Sequence, residues 1–159
     1  IIMTNYKGND ESTTNEQNEL LKAALEYAEH GIYVFPLRPK RKEPLTANGF
    51  KDASKDVEQI KEWWKQYPEA NIGIPTGKIN GIFVLDIDGD CPENFPKLPA
   101  TVTVKTNKGL HYYFKYPKEQ EIKSRTKLQG LDIDVRGEGG YAVAPPSIHP
   151  EGGRYEFIV

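Results

Sequence analysis

The most apolar run of the chain, Ile82 to Leu85, passes straight into an alternation in which Asp86 and Asp88 flank Ile87. Strand side chains project to opposite faces in turn, so IFVLDIDGD predicts a strand with Phe83, Leu85 and Ile87 on one side and both carboxylates on the other. The same period of two recurs in TVTVKT and LHYYFKY, joined by a tight turn at Asn107, Lys108 and Gly109, and later in GLDIDVR, YAVA and RYEFIV. Shorter strands are expected in IYVFP (32–36) and NIGIP (71–75). A helical period appears twice. Leu20, Leu21, Ala24, Leu25 and Ala28 fall on one face behind Thr14 and Gln17, which have capping-box spacing, and Gly31 ends the helix. Ile60, Trp63, Trp64 and Tyr67 form the apolar side of a second helix, from the Ser54 to Asp56 region to Tyr67, stopped by Pro68. Between them PLRPKRKEPLTANG reads as a loop, because its prolines exclude regular structure.

Helices early and strands late predict an α+β fold, with helices packed on one side of a mostly antiparallel sheet. Residues 1–13 are polar and lack periodicity, and read as a disordered arm; 14–159 suits one domain. A net charge of −2 and a pI near 6.0 leave any nucleic-acid surface to local clustering, and the one dense basic run is Arg38, Lys40, Arg41 and Lys42. Such a run is ordinarily a solvated loop, or it tracks a phosphate backbone. The single cysteine, Cys91, excludes an intrachain disulfide framework and a multi-cysteine zinc site, so a reducing, cytoplasmic compartment is expected. No apolar run approaches the roughly 18 residues that cross a bilayer, and the polar start has no secretory signal, so no membrane partner is expected. The Ile-Ile before Met3, and the end within an expected strand, suggest a piece of a longer protein.

Asp86 and Asp88, about 6.6 Å apart along one strand face, are close enough to share divalent ions. A strand that runs out into water gives the same pattern. In GLDIDVRGEGG, Asp132, Asp134 and Arg136 share a face, which adds the third carboxylate that a metal site on a sheet needs and a planar guanidinium suited to phosphate oxygens. A half-solvated antiparallel strand is the ordinary alternative. His111 and Tyr113 point one way from their strand, and a strand histidine is more often structural; His111 gains interest only from the acids around it. Thr76, Gly77 and Lys78, in a turn before the acidic strand, and RGEGG with Ser147 beyond it, offer glycine turns whose N–H groups can approach an anion. Ordinary turns explain both equally well, and GKING lacks the Walker spacing. Lys42, Thr76, Gly77, Arg136 and Ser147 make up the phosphate candidates. Tyr112, Tyr113, Tyr116 and Tyr141 are either stacking faces or core.

In order, ALEYAEHGIYVFPLRPKRKEP, NIGIPTGKINGIFVLDIDGD, VKTNKGLHYYF and GLDIDVRGEGGYAVAPPS resemble the bifunctional DNA primase/polymerase (prim-pol) N-terminal domain of the archaeo-eukaryotic primase superfamily, over residues 20–157. The resemblance implies a modified RNA-recognition-like sheet and a small N-terminal α/β subdomain that helps bind nucleotide. That family's signatures are an acidic pair separated by one residue, a small-x-His motif and a further Asp after an apolar residue. They fall on Asp86 and Asp88, on Gly109 to His111, and on Asp134, preferred to Asp132 because it runs directly into an aliphatic-Arg pair. By resemblance the three acids are catalytic and hold Mg²⁺ or Mn²⁺, and His111 contacts the phosphates of the incoming nucleotide. The implied reaction is two-metal, template-directed nucleotidyl transfer on single-stranded DNA, using NTP and dNTP. A helicase module on the full-length chain is an implied partner. The chain departs from its relatives at Gly109, where many have Ser, and between Asp88 and Thr101, where prolines replace a helix and predict a short irregular loop. Two rival readings use the same residues: a non-catalytic module for single-stranded nucleic acid, with structural acids, and a metal-dependent phosphoesterase whose carboxylates activate water.

Overall fold

The first helix forms where the 3.6-residue pattern places it. The computed structural model describes residues 12–159, with side chains from Glu19 onward. Helix α1 spans Ser12–Glu29, beginning at Ser12 rather than Thr14. Residues 12 and 13 of the expected arm therefore belong to α1, while residues 1–11 and the Thr14 and Gln17 side chains lie outside what is described. Leu20, Ala24 and Ala28 are buried along one side of α1. Helix α2 spans Val57–Gln66. Asp56, with extended backbone, accepts the Glu58 N–H at 3.2 Å and so satisfies one of the donors a helix start leaves unpaired. Ile60 and Trp64 are buried, and the Trp64 indole N–H donates to the Ala70 carbonyl at 3.0 Å just past the helix end.

The strands form two sheets. β1 (Phe35–Leu37), β2 (Asn71–Pro75) and β7 (Tyr141–Ala144) make a sheet of order β1-β2-β7. β3 (Ile82–Asp88), β4 (Thr103–Lys105), β5 (Gly109–Lys115), β6 (Ile133–Arg136) and β8 (Glu156–Phe157) make a second, of order β6-β3-β5-β4-β8. Every ladder is antiparallel, and the fold is α+β. β1 lies later than the expected 32–36 and contains Pro36, which an edge strand tolerates. The strand expected over GLDIDVR is trimmed to four residues by a 3-10 turn at Leu128–Gly130, and that over RYEFIV to two. Residues 89–102 carry neither helix nor strand, as their prolines predict.

Alternation along the smaller sheet builds two cores. Ile72, Ile74 and Ala144 face α1 and α2, where they meet Leu20, Ala24, Ile60 and Trp64. Phe35, Leu37 and Val143 face the other way and pack with Val104 and Tyr155 on the larger sheet's side. Burying each of the Leu, Ile, Val and Phe side chains among these is worth about 1.5–3 kcal/mol relative to leaving it exposed. The smaller sheet is thus held between the helices and the larger sheet. Among the described residues, no helix is long and apolar enough to cross a membrane.

Candidate active site

Strand register assembles the site. In the ladder, Asp86 of β3 stands opposite His111 of β5 on one side and Asp134 of β6 on the other. The His111 Nε2 lies 3.4 Å from Asp86 Oδ1. Two carboxylates directly opposed on neighbouring strands repel, and Arg136 answers the repulsion: its Nη2 lies 3.4 Å from Asp86 Oδ2 and 3.1 Å from Asp134 Oδ2. Arg136 reaches both because it follows Asp134 by two positions and shares its face. The other Asp134 oxygen accepts the Lys127 N–H at 3.0 Å. Asp88 continues the acidic face at the exposed end of β3, its backbone N–H bonded to the Asp132 carbonyl at 3.1 Å.

Asp86 is largely enclosed. Burial pushes its carboxyl toward a higher pKa, but the His111 ring and the Arg136 guanidinium more than offset this and hold it below the usual carboxylate range. It is therefore an anion at neutral pH. His111 is 7% exposed, and its Nδ1 has no hydrogen-bond partner among the described residues. Two adjoining cavities share Asp86, His111, Arg136, Lys42 and Tyr155. One, about 240 Å³, runs along β7 past Tyr141, Gly139, Gly140 and Ser124. The other, about 140 Å³, opens over Asp88 and Asp134 and is closed by Thr106, Lys108 and His149.

Asp86, Asp88, Asp134, His111, Arg136 and Lys42 thus line these connected cavities, and Asp132 does not line either. Three other phosphate candidates stand elsewhere. Ser147 is fully buried, and its Oγ accepts the Ile72 N–H at 2.8 Å. The Thr76 hydroxyl, 2% exposed, donates to the Gly137 carbonyl at 2.6 Å. Gly77 does sit in a turn that cradles an anion, but the anion is the chain's own: Glu138 Oε1 accepts the Lys78 N–H at 3.0 Å. Gly77 has φ +98, and a Cβ there would meet Glu138 Oε2 at 2.5 Å. Thr76 and the Gly77 turn brace the RGEGG loop that walls the larger cavity, and Ser147 braces β2; neither hydroxyl lines either cavity. Gly109 is also fixed by its surroundings, since a Cβ would run into the Ile87 carbonyl oxygen.

The donor set suits a hard divalent ion in chemistry: carboxylate oxygens only, two of them converged by register and a third on the same face. Arg136 is the cation that Asp86 and Asp134 share here, and among the described residues no three His, Cys, Asp or Glu side chains stand grouped closely enough to hold a metal ion. Tyr155, Lys108, Thr106, His149 and Ser124 join the site without having been singled out in the sequence. The nearest signal was position: Thr106 and Lys108 belong to the turn before His111, and His149 and Tyr155 follow β7.

The family described as bifunctional DNA primase/polymerase, N-terminal, matches residues 24–159. No curated protein matches the chain.

Proposed function

From the chain's membership of the bifunctional DNA primase/polymerase N-terminal family, whose general activity is nucleotidyl transfer in DNA priming and polymerisation, we propose that the acidic crevice joins nucleoside triphosphates on a single-stranded DNA template. The observation that carries this reading is the register that sets Asp86 between Asp134 and His111. Asp86, Asp88 and Asp134 would hold Mg²⁺ or Mn²⁺. When bound there, the ions supply activation of the attacking 3′-hydroxyl and neutralisation of charge on the departing pyrophosphate.

The chain's own residues do the rest. Asp86, already ionised, needs no proton removed before it can serve as a ligand. Arg136, once its two carboxylates have another counter-charge, can turn its planar fork to phosphate oxygens. His111 and Lys42 add positive or donor character along the path of the triphosphate, and Tyr141 and Tyr155 wall the crevice with low-polarity surface that strengthens those contacts.

The test is labelled-nucleotide incorporation on single-stranded DNA with Mg²⁺ or Mn²⁺, with and without primer, comparing the starting protein with Asp86→Ala. Metal-dependent product from the starting protein is expected. Asp86→Ala should lose about a thousandfold or more, as when one member of a catalytic unit is removed, with its circular dichroism unchanged. Product of equal amount from both would defeat the assignment. One observation favours a second reading, a non-catalytic module for single-stranded nucleic acid: Arg136 bridges the carboxylates as a structural ion pair would. That reading predicts DNA binding and no incorporation at all.

A further inference from the structure

We propose that His149 is a second imidazole of the triphosphate site, presented from the loop that follows β7; the inference rests on the nucleotidyl-transfer reading of the crevice. The loop fixes the residue from both sides. Its N–H donates to the Gly153 carbonyl at 2.6 Å, and its own carbonyl accepts the Gly152 N–H at 2.8 Å. The ring is oriented as well, because Nδ1 accepts the Glu151 N–H at 3.3 Å. A neutral imidazole that accepts at one nitrogen carries its proton on the other. Nε2 is therefore a donor, and among the described residues it has no hydrogen-bond partner.

Its place suits a polyphosphate. The His149 and Tyr155 ring centroids are 6.1 Å apart, and those of Tyr155 and His111 5.9 Å, so Tyr155 spaces two imidazoles along one wall. His149 lines the smaller cavity together with Asp86, Asp88, Asp134 and the cations Lys42, Lys108 and Arg136. The cations already match the carboxylates, so divalent ions held by those carboxylates would leave a positive excess that a polyanion offsets. Glu151, two residues on, is engaged elsewhere, since its Oε2 accepts from the Asn107 amide at 2.6 Å.

The test is calorimetric binding of a non-hydrolysable deoxynucleoside triphosphate, and of the matching monophosphate, in the presence of Mg²⁺. The proteins compared are the starting protein, His149→Ala and His149→Asn. Asparagine can still accept the Glu151 N–H as an Asx turn but lacks the Nε2 donor. Both variants should bind the triphosphate about tenfold more weakly, the scale of a hydrogen bond to a charged group, with monophosphate binding unchanged. The inference is overturned if His149→Asn binds the triphosphate as tightly as the starting protein, or if both ligands weaken equally, which marks a role in loop folding. Failure of the starting protein to bind the triphosphate removes the nucleotidyl-transfer reading and the inference with it; tight binding by all three removes only the role of His149.

Discussion

Arg136 supplies the positive charge that lets Asp86 and Asp134 face each other across two strands. Removing it leaves two adjacent carboxylates without their shared cation. For Arg136→Ala we expect a stability loss of about 1–2 kcal/mol in metal-free buffer, discounted for the partial exposure of the guanidinium. Added Mn²⁺ should then raise the melting temperature of Arg136→Ala by more than that of the starting protein; equal shifts in a thermal melt would contradict the idea that a divalent ion takes over from the guanidinium. Gly109 carries a second expectation. A Cβ there would strike the Ile87 carbonyl. Gly109→Ser should therefore lower stability by about 1–3 kcal/mol in chemical denaturation, the range of an overpacked site. At this scale the alternation of the sequence was enough to put Asp86 with Asp88, and Asp134 with Arg136, on common faces. It could not show that Arg136 bridges the strands, because that depends on the register of β6 against β3. Thr76 and Ser147 looked available for phosphate because their partners are remote: the Gly137 carbonyl is 61 positions from Thr76, and the Ile72 N–H is 75 from Ser147.

The elements were more legible than the contacts between them. Strong periodicity gave both helices, and the extents of β2 and β7 match NIGIP and YAVA. Strand ends moved where local chemistry won: Leu128–Gly130 turns before β6 can begin, and β1 starts at Phe35 and runs through Pro36, which an edge strand tolerates, to Leu37. The attachment of α1 to the strand side has a testable mark. The Tyr27 hydroxyl donates to the Pro145 carbonyl at 2.7 Å, and burial, with Tyr113 and Glu26 contributing, raises the phenol above its ordinary pKa. A phenol held neutral in the fold and freed in the unfolded chain contributes stability below about pH 10 that is lost as pH rises further. Tyr155, pushed up to about 12 mainly by burial, adds to the same trend. Tyr27→Phe should cost about 1 kcal/mol at neutral pH for the lost hydrogen bond and should flatten the alkaline decline between about pH 10 and 11. Denaturation curves across that range check it, and a decline as steep as that of the starting protein would contradict it.

For the molecule as a whole, the sequence pattern led to an α+β fold with helices on one side of a mostly antiparallel sheet, and the resemblance added a small α/β subdomain; the fold is α+β, with the helices on the smaller of two antiparallel sheets. The reason is β7, which comes late in the chain yet pairs with β2 and completes the helix-backed sheet. No local pattern encodes that return, and it is what creates a crevice between sheets. A net charge of −2 gave no sign of the crevice either, since the smaller cavity gathers Lys42, Lys108 and Arg136 around Asp86, Asp88 and Asp134. The most direct measurement is Mn²⁺ uptake by the full chain, read from loss of the free-ion electron paramagnetic resonance signal, for the starting protein, Asp86→Asn and Asp134→Asn. The starting protein should take up Mn²⁺, and each substitution, one on β3 and one on β6, should weaken uptake by at least the roughly 10–100-fold that even a supporting residue of a metal site is worth. Equal uptake by all three proteins, or none by the starting protein, would contradict a shared metal centre across the two strands.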